Sequence, residues 1–133
     1  MLTALVIACL VMSIALHPMG HALDRVVVDE AVERYGALFE TARALAVARA
    51  RQARLELDTA RRIALITLQR AGSQWDTVDQ RPLGRAQIAA SQTVVTFSSL
   101  GVGFGLSNAR IVFTSGQAAD TLTVSRTGRL KRS

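Results

Sequence analysis

Four cations crowd the last eight residues of this chain: Arg126, Arg129, Lys131 and Arg132. At that density, guanidinium and ammonium groups can hold a polyanion such as DNA through its phosphates, without reading bases and with steep salt dependence. They can equally contact an acidic neighbouring subunit, or serve only as a solvated tail. Elsewhere the chemistry is sparse. His17 and His21 stand four apart, a spacing that on a helix aims two imidazoles at one metal, but Pro18 interrupts the pair and no third ligand completes a set. Gly101-Val-Gly-Phe-Gly105 has the glycines of a phosphate loop. It lies between two strand-like runs, however, and no helix opens after it to face a pyrophosphate. It reads as a hairpin or bulge loop. Neither G-x-S-x-G nor H-E-x-x-H occurs. Trp75 beside Asp76 reads as a half-buried ring in a turn. These residues predict a protein that is not an enzyme, with no catalytic residue, cofactor, metal or small-molecule substrate.

The elements that carry these residues begin with an apolar run, Met1–Leu16, and no charged side chain appears before Asp24. As a membrane helix, sixteen residues span about 24 Å, short of the ~30 Å hydrocarbon core. Extension to Leu23 reaches about 34 Å with Pro18 inside the span. As a secretory signal, Gly20-His21-Ala22 is a tolerable cleavage site, but the basic n-region is missing. As a lipoprotein signal, Val6-Ile7-Ala8-Cys9 comes too early to leave room for a leader. The membrane helix is the preferred reading, with a break expected at His17-Pro18-Met19-Gly20 and a segment boundary after residue 23. Cys9 is the single cysteine, so no intrachain disulfide forms and the redox compartment stays open.

Between Val28 and Ala53 the apolar residues Val28, Val32, Tyr35, Phe39, Ala42, Ala46, Ala50 and Ala53 recur in steps of three and four, the period of one helix face. This predicts an amphipathic helix over 24–54 whose stripe packs on a sheet. The small residues late in the stripe would let the sheet approach closely. A β domain over 55–133 follows. Strands are expected at Leu55–Thr59, Ile63–Leu68, Thr93–Ser98, Ala109–Thr114 and Thr121–Arg126, with Arg70–Thr77 turn-like and Gln80–Gln92 a polar loop. One long helix followed by short strands predicts an α+β fold with an antiparallel sheet. The roughly 110 residues after the apolar segment suffice for one modest domain.

The net charge is +6, and 15 of the 16 basic residues are arginine. Arginine favours bidentate contacts to carboxylate or phosphate, although a GC-rich genome gives the same bias. The charge is graded: residues 24–42 carry −3, residues 43–62 carry +4, and residues 63–133 carry +5. The segment next to the apolar run is acidic and the distal domain basic.

Several stretches resemble one family. Met1-Leu-Thr-Ala-Leu-Val-Ile7 is similar to the run that follows the glutamate of type IV prepilins. Phe39-Glu-Thr-Ala-Arg43-Ala-Leu-Ala-Val47 resembles the helix segment of GspH/FimT pseudopilins. Trp75, the Phe97 to Gly101 spacing and Thr123-Val-Ser-Arg-Thr-Gly128-Arg129 are similar to that family's C-terminal half. The resemblance implies a pilin-like fold and a minor pseudopilin or pilin. Its N-terminal helix would sit in the bacterial inner membrane before assembly and in the filament core afterwards, among other pilins, with the β domain in the periplasm. In type II secretion such subunits build the pseudopilus. In the FimT branch a C-terminal G-R-x-R element is implicated in DNA uptake. Gly128-Arg129-Leu130-Lys131 resembles that element with lysine in the last place, which keeps the charge and loses the bidentate fork; the adjacent Arg132 compensates. An unrelated secreted β domain, cleaved from its signal, is the remaining alternative. The family's peptidase site and glutamate would fall just upstream of Met1. The expectation is therefore that upstream in-frame codons encode a basic leader, glycine, phenylalanine and a hydrophobic run ending in glutamate.

Without Met1–Leu23, residues 24–133 are expected to form a soluble, monomeric α+β domain. Recovery only as aggregate, or an all-helical circular dichroism spectrum, would contradict this architecture.

Overall fold

A computed structural model of the chain describes the backbone of residues 1–104 and 109–133, and their side chains except those of 15–18 and 104. One helix, α1 (Leu2–Arg49), runs without a break for 48 residues, about 72 Å at 1.5 Å per residue. The interruption expected at His17–Gly20 does not occur in the backbone. The helix also ends at Arg49, short of the expected Arg54. Ala50 turns left-handed there (φ 48°), and the Arg51 N–H bonds the Ala46 carbonyl at 3.1 Å. These are the features of a helix-closing motif that usually uses glycine, so alanine hid the stop.

Among the described residues nine strands follow: β1 (Ala53–Asp58), β2 (Ile63–Gln69), β3 (Trp75–Pro82), β4 (Gln87–Ala90), β5 (Val94–Phe97), β6 (Gly103–Phe104), β7 (Ala109–Ser115), β8 (Ala118–Val124) and β9 (Leu130–Arg132). They form two antiparallel sheets, ordered β3-β2-β1-β5-β6 and β4-β7-β8-β9. Three sequence expectations change. Trp75 opens a strand and does not sit in a turn. Gln80–Gln92 holds the end of β3 and all of β4. The C-terminal cations are not a free tail, because β9 pairs with β8. Both β3 and β9 are edge strands with mostly exposed side chains, so neither needs the apolar alternation that marks a half-buried strand.

The helix packs its second half against the inner faces of both sheets. Val28, Val32, Tyr35, Phe39, Ala42 and Ala46 are all buried, facing Leu55, Ile66, Val95, Phe97, Ile111, Phe113, Leu122 and Val124. Aromatic rings join the layers. Phe39 meets Phe97 edge-on at 4.9 Å between centroids, and Tyr35 lies 6.0 Å from Phe113. Burial pushes the Tyr35 hydroxyl above its ordinary pKa, so it stays protonated. The β8–β9 turn reaches the other sheet at Gly128 (φ +79°), where a Cβ would stand 2.8 Å from the Gly103 backbone nitrogen. Only glycine fits both the dihedral and the approach.

Phe39→Ala should cost residues 24–133 about 3–5 kcal/mol, and Gly128→Ala about 2–4 kcal/mol from the left-handed backbone plus the clash. Urea midpoints left unchanged by either substitution would contradict this packing.

Candidate functional site

The first half of α1 finds no cover within the chain. All side chains described between Leu2 and Leu23 are exposed, with Leu5 at 67%, Ile14 at 70% and Leu23 at 64%. This half is long and apolar enough to cross a membrane. Exposed apolar surface of this extent is uncommon on soluble monomers.

Where the apolar half ends, charged groups fix the helix to the second sheet. Asp24 accepts a hydrogen bond from Ser115 Oγ at 3.1 Å. Arg132 Nε donates to Asp120 Oδ2 at 2.5 Å, and its guanidinium also meets Asp29 on the helix. Arg25 adds contacts to Asp29 at 3.5 Å and Asp120 at 3.6 Å. Asp120 is the buried member, with 5% of its side chain exposed, so its charge depends on these partners. The two carboxylates in turn hold the Arg132 guanidinium charged, above its ordinary pKa. Arg132 faces the helix because it sits opposite the inward-facing Leu122.

The remaining tail cations point elsewhere. Lys131 pairs with Thr123, which pairs with Arg110 on β7, so all three share the outer face of the sheet. Arg126 and Arg129 lie in the adjoining turn, exposed. Arg110, Arg126, Arg129 and Lys131 take part in no ion pair among the described residues. The structure therefore removes Arg132 from the expected cluster and adds Arg110. The sequence carried a signal for Arg110, as an outward position between the buried Ala109 and Ile111. Within the cluster Arg126 and Arg129 stand well above the apolar half, while Lys131 adjoins Arg132 at the junction. The turn of Arg126 and Arg129 touches Phe97, which packs on Phe39, and Phe39 lies about 22 Å along the helix from Asp24.

The other sequence candidates carry less. Among the described residues no group of three His, Cys, Asp or Glu could hold a metal; the His17 side chain lies outside those described. In the glycine run, Gly101 turns and Gly103 enters β6, while Gly105 lies outside the described residues. Trp75 lies over the Arg54 guanidinium, 3.8 Å from its ring centroid, on the outer face of the first sheet.

A half-uncovered helix under two antiparallel sheets has clear structural counterparts. The type IV minor pilin FimU of Pseudomonas aeruginosa superposes with a TM-score of 0.65 at 17% identity, covering 78% of this chain and 86% of that one. The minor pseudopilin EpsH of the Vibrio cholerae type II secretion system gives 0.65 at 11% identity, covering 81% and 96%. This chain has the minor-pilin fold. A second EpsH structure agrees, with a TM-score of 0.60 at 14% identity over 77% and 95%. No protein-family model matches the sequence, and no curated protein is significantly similar to it. The likeness at 11–17% identity is one of fold.

Arg132→Ala should strip Asp120 of its closest partner and lower stability by about 1–3 kcal/mol. Amide exchange should speed up selectively in β9 and at Thr121–Val124. Protection unchanged in those strands would show that the cluster does not hold the C-terminal edge.

Proposed function

We propose that this chain is a minor pseudopilin of a type II secretion system, a structural subunit that assembles into a pseudopilus anchored in the bacterial inner membrane. The observation that carries the reading is the uncovered apolar half of α1, continuous with the helix that forms the domain's core. Before assembly this half would cross the inner membrane once, with the β domain in the periplasm. On assembly it would exchange lipid for the helices of neighbouring pilins. Both surroundings are apolar, so the exchange needs no refolding of the domain. Apart from the Ile14 carbonyl, which Pro18 leaves without its i+4 donor, a helical segment satisfies its backbone groups internally, as a spanning segment requires.

A second reading, a FimT-like minor pilin that contacts DNA, is favoured by one observation: the cations Arg110, Arg126, Arg129 and Lys131, which form no ion pair among the described residues. Arg126 and Arg129 lie more than a Debye length from the end of the apolar half (~8–10 Å at physiological salt). These two arginines are thus set back from the apolar half, which favours a polyanion or an acidic protein as their partner.

Loss of the chain in its source organism should stop export of folded secretion substrates and leave pilus-dependent motility and DNA uptake intact. The reverse pattern would assign it to the pilus. On the DNA reading, Arg126, Arg129 and Lys131 replaced together by alanine should abolish duplex binding and flatten its salt slope by about two to three. A parent domain that binds no duplex at low salt would end that reading.

A further inference from the structure

Two polar atoms on the outer face of the first sheet are buried without a hydrogen-bond partner among the described residues: Arg54 Nε and Thr67 Oγ1. They are neighbours, because Arg54 on β1 pairs in register with Thr67 on β2. Thr67 is only 6% exposed, although it points away from the core, between the inward-facing Ile66 and Leu68. Its cover comes from Trp75. The indole starts on β3 and meets the Arg54 guanidinium of β1, 3.8 Å from the ring centroid, so the pair bridges β2 beside Thr67.

A β-bulge decides which residues of β3 share this face. The ladder skips Val78, between Thr77 opposite Thr67 and Asp79 opposite Ile66. Trp75 and Thr77 therefore stand on the outer face, and Asp79 turns to the helix side, where it meets the groove beside Arg34. Bulges recur next to sites because they re-aim side chains in this way.

Buried donors without acceptors are rare, because each has given up water with nothing in return. Arg54 Nε–H can only donate, and the Thr67 hydroxyl beside it can donate as well. One anionic oxygen pair answers both. Arg54 also lacks a counterion, since it belongs to no ion pair among the described residues. The number of charges narrows the partner. Thr77, Thr67, Arg54 and Thr96 form one row across four strands, and Glu56 comes next along β1 on the same face. A nucleic-acid backbone calls for a run of cations. A single guanidinium among threonines, with a carboxylate behind it, suits one carboxylate.

We propose that Arg54 and Thr67 form a binding site for an Asp or Glu side chain of a partner protein, with Trp75 as its lid. The carboxylate accepts from Arg54 Nε–H and from the Thr67 hydroxyl, and the indole swings aside to lie against the partner segment. Little holds the lid shut: it stacks on a partly exposed guanidinium and opens an edge strand. Tryptophan and arginine are also the residues on which binding energy most often concentrates. The site lies on the opposite sheet from Arg110 and Lys131 and uses no residue of the apolar half. It therefore stands or falls separately from the assembly and DNA readings.

Trp75 is the single tryptophan, so the emission of the full chain in detergent reports on this site. The probe is an acetylated and amidated peptide with one glutamate among alanines and serines, and its glutamine counterpart is the control. The glutamate peptide should shift the emission saturably. The glutamine peptide should bind at least about tenfold more weakly, as should the glutamate peptide to Thr67→Val or Arg54→Gln. Thr67→Val should keep or raise the Tm, because valine preserves the shape and removes the orphaned hydroxyl. A lowered Tm would show that hydroxyl satisfied within the fold and overturn the site. Equal affinity for the two peptides, unchanged binding by Thr67→Val, or no saturable shift up to millimolar peptide would each overturn it too. A short DNA duplex that gives the stronger, Thr67-dependent shift would make the ligand a phosphate and overturn the protein partner.

Discussion

A small β domain cannot cover a 48-residue helix, and the rest of the molecule follows from that mismatch. The two sheets reach along α1 only as far as the residues around Asp24, where the first charges appear. Beyond them the helix has apolar side chains on every face and no sheet. Helices that are apolar all round are stable only when buried. The cover must therefore come from lipid or from other chains. The domain holds its half of the rod through the buried stripe and the charged contacts near Asp24.

The ionic cluster at the junction is the device that fixes the register of the helix on the sheets. The stripe from Val28 to Ala46 is dominated by alanine and valine at its ends, and such a surface alone would tolerate sliding by a turn. Asp24 on Ser115, and Asp29 with Arg25 on Asp120 and Arg132, permit one alignment. Most of these contacts are partly exposed and individually weak. Asp120 is the exception, because its buried carboxylate is costly unless the helix supplies a cation. Placing the cluster at the end of the apolar half puts the constraint where the free rod exerts its leverage.

The fold class was legible in the sequence because burial imposes a period. Steps of three and four from Val28 to Ala46 and alternation along β1, β2 and β7 follow from contact with one core. The edge strands were not legible, because β3 and β9 meet solvent on most of their surface and carry no such pattern. The helix stop at Ala50 was missed for a local reason, an αL alanine where glycine is customary. The basic site was half legible. Charge density alone grouped Arg132 with its neighbours, and only strand register shows that alternate residues of β9 face opposite ways. Arg110 lies too far along the chain to be grouped with the tail until β7, β8 and β9 are aligned.

The same reasoning explains how chains only 11–17% identical share this architecture. The core needs apolar volume at the right period, a demand that many sequences meet. What it does not prescribe is the surface between the strands, and there this chain is individual. Its cations are sorted by the pleat: Arg132 is turned inward to hold the helix, and Lys131 is turned outward into a row with Arg110. A single-residue slip of β9 would exchange those roles, exposing Arg132 and driving Lys131 against Asp120. A lysine reaching Asp120 would still neutralise it, but without the fork that engages Asp29 at the same time. Register in this short edge strand thus decides both how the helix is held and which charges the domain presents to its partners.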